Sequence, residues 1–191
     1  MEINVFHKTV VKTYQYPYAE KLNPKLHEII LQKAVIPDSG ATMTEWKDGL
    51  NIKEFKTICD WVLSIIQNHR SNYDYHQGIR SDKVSEWPEA NVPSNFNLEI
   101  EDLWGQYYKA GDHHVYHTHH PHHWSFVYYV NAPKGCAPLV FTDSNKKIFP
   151  KSGMLVLFHG WLRHHVPNHK CKEIRSIISG NFVYERGEES K

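Results

Sequence analysis

The sequence predicts a mainly β fold with N-terminal helices, in which the β part closes as a jelly roll or barrel and the helices pack on one sheet. Three observations carry this. Apolar residues at helical spacing are confined to the N-terminal part of the chain; short runs rich in aromatic and β-branched residues fill everything after position 98; and Gly and Pro separate those runs.

Taken in order, Asn23-Pro24 reads as a helix start, a capping residue followed by Pro at the first helical position. Leu26, Ile29, Ile30 and Ala34 then repeat at helical spacing before Pro37. A second helix starts at Asn51, where Glu54 completes a capping box, and sets Phe55, Ile58, Cys59, Val62, Ile65 and Ile66 on one face. Both faces need a sheet to cover. Residues 71–97 are polar, with Gly78, Pro88 and Pro93, and read as a loop over the mouth of a site. Strands are expected at 103–108, 124–130, 139–142, 154–158 and 174–184, punctuated by Gly111, Pro121, Pro133-Lys134-Gly135, Pro150 and Gly153. The expected organisation is a single domain over 1–191, with 1–97 as a helical and loop support region and 98–186 as the β core.

Composition narrows the classes. A chain of 191 residues is long enough to bury one sizeable core, and its formal net charge of +1 gives no electrostatic ground for nucleic acid or membrane as partner. No apolar run is long enough to span a bilayer, and residues 1–18 lack the apolar core and cleavage site of a secretory signal. Cys59, Cys136 and Cys171 are odd in number and widely spaced, which points to a reducing, cytoplasmic setting rather than a disulfide framework. The oligomeric state leaves no mark on the sequence.

Histidine is the residue that departs from average: there are 15, and seven fall between Gly111 and His123. Residues two apart in a strand share a face, so His117 and His119 would present two imidazoles to one point inside a barrel. Neutral imidazole suits first-row metals, and a third ligand from a distant strand would leave positions open for substrate and oxygen. Trp161-Leu162-Arg163-His164-His165-Val166 is the next approach to the interior. Either His164 or His165 can supply that ligand, since they would face opposite ways, and His159 is a weaker candidate. Arg175 heads an apolar strand, where a bare guanidinium is costly to bury and a carboxylate ligand would relieve the cost. The blander reading makes His117 and His119 a chance pair in a His-rich chain, Arg175 a surface ion pair, and Tyr108, Tyr128 and Tyr129 core aromatics. His113, His114, His120, His122 and His123 are expected to face solvent or to support the ligands.

The segment 103–184 resembles the Fe(II)/2-oxoglutarate-dependent oxygenases, above all the prolyl-4-hydroxylase-like members and the small oxygenases of bacteria and phages. Tyr108-Lys109-Ala110-Gly111 followed by His117 is similar to the family's Tyr-x-x-Gly and first iron ligand, with His114 where a Tyr often stands. Trp-Ser-Phe-Val-Tyr-Tyr-Val-Asn from Trp124 resembles the strand after the first ligands, and Pro150-x-x-Gly153 with Leu155-Val156-Leu157-Phe158 the strand before the distal one. His164-His165-Val166 is similar to that distal ligand followed by an apolar residue, which favours His164 over His165. The resemblance implies a double-stranded β-helix (jelly-roll) core and iron held by His117, His119 and His164. It further implies 2-oxoglutarate as cosubstrate, its far carboxylate on Arg175, with Tyr108 and Tyr128 as further contacts. The implied reaction hydroxylates a small-molecule or peptide substrate and releases succinate and CO2.

Two departures stand out. The second ligand position, usually Asp or Glu, is His119, which leaves the site one unit more positive, and neither Asp112 nor Asp143 has the spacing to replace it. The Ser often found two residues after the Arg is Ile177; Ser176 and Ser179 are nearby but expected to face differently. Two alternatives remain. Gly111, His117 and His119 also fit the opening of a cupin motif, whose three-His sites need no 2-oxoglutarate, although His123 and Trp124 stand where that motif has Glu. The other is a non-catalytic jelly-roll binding protein. Trp104 and Trp161 are candidate pocket walls, and nothing in the spacing identifies the substrate.

Overall fold

The computed structural model describes residues 11–71 and 96–186. In chain order the elements are β1 (Lys12–Gln15), α1 (Ala19–Lys33), β2 (Ile36–Asp38), β3 (Ala41–Met43), a 3-10 turn (Asp48–Asn51), α2 (Lys53–Ser71), β4 (Phe96–Tyr108), β5 (His114–His117), β6 (Trp124–Asn131), β7 (Leu139–Phe141), β8 (Lys146–Ile148), β9 (Met154–His159), β10 (His164–Val166) and β11 (Arg175–Arg186). They form a seven-stranded sheet in the order β1-β9-β6-β11-β4-β3-β2 and a four-stranded sheet in the order β5-β10-β7-β8. Every pairing is antiparallel. The fold is thus mainly β with N-terminal helices, as the sequence predicts.

The larger sheet is apolar on both faces because it sits between two layers. On its helix side, Leu26 and Ile30 of α1 and Phe55, Ile58 and Val62 of α2 meet Phe126, Tyr128, Leu155, Leu157, Ile178 and Phe182. Each of these helical side chains is fully buried, a gain of about 1.5–3 kcal/mol apiece. On the other side, Tyr108, Val127, Tyr129, Val156, Phe158 and Ile177 face Leu139, Phe141 and Val166 of the smaller sheet. That second layer is where a site can form. Among the described residues no helix is long and apolar enough to cross a membrane.

The elements differ from expectation where local signals mislead. Helix α1 begins at Ala19 and carries Pro24 inside it. Asn23 is not a cap; it is buried, its amide nitrogen donating to the Val130 carbonyl (2.7 Å) and its amide oxygen accepting from the Tyr128 hydroxyl (2.6 Å). Helix α2 starts at Lys53, because residues 48–51 are already wound into the 3-10 turn. The N-terminal region is also more than helical support, since β1 lies at one edge of the larger sheet and β2 and β3 at the other. The β2–β3 hairpin turns on Ser39-Gly40, both at positive φ (49° and 91°), the backbone that a two-residue hairpin loop demands. The expected loop over residues 71–97 lies almost wholly outside the described residues.

Candidate metal centre

Two register pairs build the site. In the smaller sheet β10 lies against β5 with His164 opposite His117, and in the larger sheet β11 lies against β4 with Arg175 opposite Tyr108. Residues directly opposite in an antiparallel pair share a face. The two imidazoles and the Arg-Tyr pair therefore project into the space between the sheets, and all four line one cavity there.

His119 arrives differently from expectation. Strand β5 ends at His117, so His119 does not reach the site by strand alternation. Its backbone N–H donates to the Gly160 carbonyl (2.6 Å), and its own carbonyl accepts from the N–H of His122 (2.9 Å) and from His122 Nδ1 (2.6 Å). A side chain at Gly160 would put its Cβ 2.2 Å from the His122 carbonyl, so this close approach needs glycine. The turn so pinned brings His119 to within ring-centroid distances of 5.1 Å from both His117 and His164, which are themselves 4.2 Å apart. One nitrogen from each of the three lies within 4.8 Å of the others, a spacing at which a single ion could be held.

The backbone also sets the ring chemistry. His117 Nδ1 lies 2.8 Å from the Val115 carbonyl and His164 Nδ1 2.7 Å from the Leu162 carbonyl, in each case two residues back. A carbonyl only accepts, so Nδ1 carries the hydrogen and Nε2 keeps a free lone pair in both rings. Desolvation by burial, followed by the charge of His114, lowers the His117 pKa to about 4. Burial, then His117, lowers that of His164 to about 3, and burial with His164 and His117 holds His119 well below the ordinary value. All three are neutral at pH 7, the form that binds metal.

Arg175, which lines the same cavity, is fully buried. Its guanidinium lies 4.5 Å from the centre of the Tyr108 ring and 5.1 Å from that of Tyr129, and Nη1 donates to the Ala137 carbonyl at 3.2 Å. Its Nε and Nη2, and the Tyr129 hydroxyl, have no hydrogen-bond partner among the described residues. Orphaned buried donors of a permanent cation fit a carboxylate ligand.

The remaining candidates divide. Tyr108 lines the cavity, but its hydroxyl donates to Gln106 Oε1 (3.0 Å). Tyr128, expected beside the cosubstrate, is a correction: neighbours in a strand face opposite ways, so its side chain packs among the helices and its neighbour Tyr129 is the one on Arg175. His165 faces away from the cluster and packs on Tyr116 (4.2 Å), and His159 stacks on Trp124 (4.0 Å). Asp112 accepts from the Lys109 N–H and Asp143 pairs with Arg163, so neither joins the imidazoles. Ser179 faces the same cavity as Arg175 and Ile177, contrary to expectation, whereas Ser176 turns to His27 on the helix side. Trp104 lines the cavity, while Trp161 is half exposed.

The sequence patterns do not assign three residues to the site, Asp38, Gln106 and Trp46. Asp38 Oδ2 lies 3.0 Å from His114 Nε2 and 3.3 Å from the Gln106 amide nitrogen, and the hydrogen bond to His114 lowers the Asp38 pKa. The His114 ring packs 4.1 Å from that of His117. A chain of polar contacts thus runs His114, Asp38, Gln106, Tyr108 from the imidazoles to the arginine. Trp46 packs edge-on against Trp104 (4.6 Å) at the same cavity. The Ser39-Gly40 hairpin is the one signal that could have brought Asp38 into view. The cavity is narrow, about 30 Å³.

No protein-family model and no curated protein matches the chain. Solved structures do. The viral collagen prolyl hydroxylase of Paramecium bursaria Chlorella virus-1, solved as its 2-oxoglutarate complex, aligns over 94% of this chain and 96% of its own, at 14% identity and a TM-score of 0.65. A Trichoplax adhaerens prolyl hydroxylase bound to a peptide fragment of the hypoxia inducible factor oxygen degradation domain aligns over 90% and 83%, at 15% identity and a TM-score of 0.53. HygX of Streptomyces hygroscopicus, with nickel and 2-oxoglutarate bound, aligns over 92% and 83%, at 8% identity and a TM-score of 0.59. The shared feature is the fold: this chain is a double-stranded β-helix with helices packed on its larger sheet.

Proposed function

We propose that the protein is an Fe(II)- and 2-oxoglutarate-dependent oxygenase that hydroxylates a small-molecule or peptide substrate. In this reading iron is held by Nε2 of His117 and His164 and by a ring nitrogen of His119. Arg175, backed by Tyr129, takes the far carboxylate of 2-oxoglutarate. The observation that carries it is the pairing, in the lining of one cavity, of three neutral imidazoles with a buried guanidinium two of whose donors lack partners among the described residues. The neighbours in fold that hold 2-oxoglutarate, or nickel with it, support the same reading. When bound, iron and 2-oxoglutarate supply the oxidising chemistry, with succinate and CO2 as products.

The chain's own residues bind, orient and exclude water. The Val115 and Leu162 carbonyls hold two imidazoles with Nε2 toward the ion. Phe158, 4.8 Å from the His164 ring, and Phe141, 6.0 Å from it, keep that side dry. Three neutral ligands leave an Fe(II) site at +2, and a chelating carboxylate offsets one unit of that charge. The Asp38 carboxylate, one ring away through His114, brings a further negative charge close by. A cytoplasmic setting belongs to the same proposal and is supported by three free cysteines.

Among the described residues no carboxylate joins the imidazole cluster, which favours one competitor, a cupin-like three-His enzyme that works without 2-oxoglutarate. Oxygen uptake and succinate release, measured on Fe(II)-loaded protein with and without 2-oxoglutarate, separate the two. The oxygenase releases succinate and consumes oxygen only when 2-oxoglutarate is added. Oxygen uptake that ignores 2-oxoglutarate gives the competitor the site. Metal-free protein of unchanged stability, with no affinity for Fe(II), leaves a non-catalytic jelly roll.

A further inference from the structure

The loops that join β6 to β7, β8 to β9 and β10 to β11, residues 132–138, 149–153 and 167–174, enclose with Lys147 of β8 a groove of about 720 Å³, separate from the imidazole cluster. Lys134, Lys147, Lys151 and Lys170 line it and are exposed, and among the described residues no Asp or Glu lines it. None of the four is in an ion pair among the described residues. In a chain of net charge +1 this is a concentration of positive charge at one place, not a property of the whole surface.

Between the lysines the lining is apolar. Phe149 is 68% exposed, and Pro133, Pro138, Pro150 and Pro167 stand around it. An exposed aromatic ringed by prolines is a feature that solvent alone does not favour.

The groove is also preformed. His169 is fully buried, its Nδ1 accepts from the Ala137 N–H (3.3 Å), and its Nε2 lies 2.9 Å from the Glu173 carbonyl. Its backbone N–H donates to the Asp112 carbonyl (2.7 Å), and its carbonyl accepts from the Gly111 N–H (2.8 Å). The two longer loops are thus stitched to each other and to the barrel, which lowers the ordering cost of binding.

We propose that this groove docks an acidic polypeptide segment, its carboxylates meeting the lysines and an apolar side chain covering Phe149 and the prolines. Charge complementarity selects an anionic partner, and the apolar lining selects among anions. Single-stranded nucleic acid is held by several aromatic platforms along a basic track, whereas one aromatic stands here among prolines. A polypeptide supplies both acids and apolar groups at the spacing of a few residues. The docking site lies outside the cavity of the imidazoles and does not depend on the chemistry proposed there.

The test is fluorescence anisotropy with a labelled peptide of sequence Glu-Glu-Leu-Glu-Phe-Glu-Glu, titrated with the full chain at low and at physiological salt. Saturable binding is expected, weaker at higher salt. It should fall about tenfold or more in the Lys134→Glu/Lys151→Glu variant and persist in Lys134→Arg/Lys151→Arg. A circular dichroism melt of each variant establishes that it is folded. No saturable binding of the peptide by the folded wild-type chain overturns the proposal, and so does equal binding by the charge-reversed variant. A single-stranded oligonucleotide of equal charge, or a phosphatidylserine vesicle, that binds more tightly than the peptide and loses affinity in the same variant overturns it too, by giving the groove a different occupant.

Discussion

Replacement of Arg175 by Met separates what this residue does for the fold from what it does for a ligand. In the free protein the guanidinium is fully buried with two donors unpartnered, and each unmade bond costs about 1–3 kcal/mol, more for a charged group. Against that stand one charge-assisted bond to the Ala137 carbonyl, about 1.5–3 kcal/mol, and two aromatic faces worth about 0.5–2 kcal/mol each. These contributions nearly cancel, and Met fills much of the same space. Arg175→Met is therefore expected to change the stability of the free protein by no more than about 2 kcal/mol in either direction. For 2-oxoglutarate the balance is one-sided. Loss of one partner of a buried charge pair costs about 2–5 kcal/mol, which is a weakening of roughly 30-fold to several thousand-fold. The assay is anaerobic calorimetric titration of Mn(II)-loaded protein with 2-oxoglutarate, paired with a metal titration in its absence. Metal affinity should stay within about threefold of wild type, since Arg175 contacts the Ala137 carbonyl, Tyr108 and Tyr129 and is not one of the three grouped imidazoles. A change in 2-oxoglutarate affinity below about threefold, or equal losses of metal and 2-oxoglutarate binding, refutes the reasoning.

Other perturbations follow from the same geometry. Burial holds the pKa values of the three cluster imidazoles below the ordinary histidine value of about 6.5, at about 4 for His117 and about 3 for His164, so at acid pH the unfolded chain takes up protons that the folded chain refuses. The stability of the metal-free protein should be full above pH 6.5 and fall as pH drops toward 4 and then 3; denaturant titrations over that window check it, and a His117→Gln variant should lose less. Gly160→Ala places a methyl against the His122 carbonyl and should displace His119, lowering metal affinity and costing about 1–3 kcal/mol of stability, read by metal titration and thermal melting. Tyr128→Phe removes the hydrogen bond to Asn23 on the helix side, so it should cost about 1–2 kcal/mol in a denaturant titration while leaving 2-oxoglutarate affinity unchanged.

The β-rich half was legible because its strands are apolar on both faces and are broken by Gly and Pro, as at Pro150 and Gly153 before β9. Strands β1, β2, β3, β5 and β8 were not, because each is three or four residues long and too short for a periodic pattern to stand out. The choice of His164 over His165 was legible only through the family resemblance; in the structure cross-strand register makes it physical, with His164 opposite both His117 and Phe141. Strand alternation predicts His119 beside the other two, and the structure brings it there by a different route. Alternation along a strand fails where the strand ends at His117, and a turn pinned to Gly160, forty-one residues away, does the positioning. Alternation puts only one of Tyr128 and Tyr129 inside, and the fact that decides for Tyr129, which face the helices cover, is tertiary. Asp38 could not be found from spacing at all, since a hairpin 76 residues upstream carries it to His114.

In the proposed assignment His117, His119 and His164 hold one iron to which 2-oxoglutarate binds directly while Arg175 secures its far end. The most direct measurement is the anaerobic absorption spectrum of the Fe(II)-loaded protein before and after 2-oxoglutarate is added. Direct chelation predicts a new metal-to-ligand charge-transfer band in the visible region, absent from the His164→Ala protein and needing far more 2-oxoglutarate in Arg175→Met. A spectrum that stays unchanged at saturating 2-oxoglutarate, in protein shown by metal analysis to carry one iron, would contradict the account.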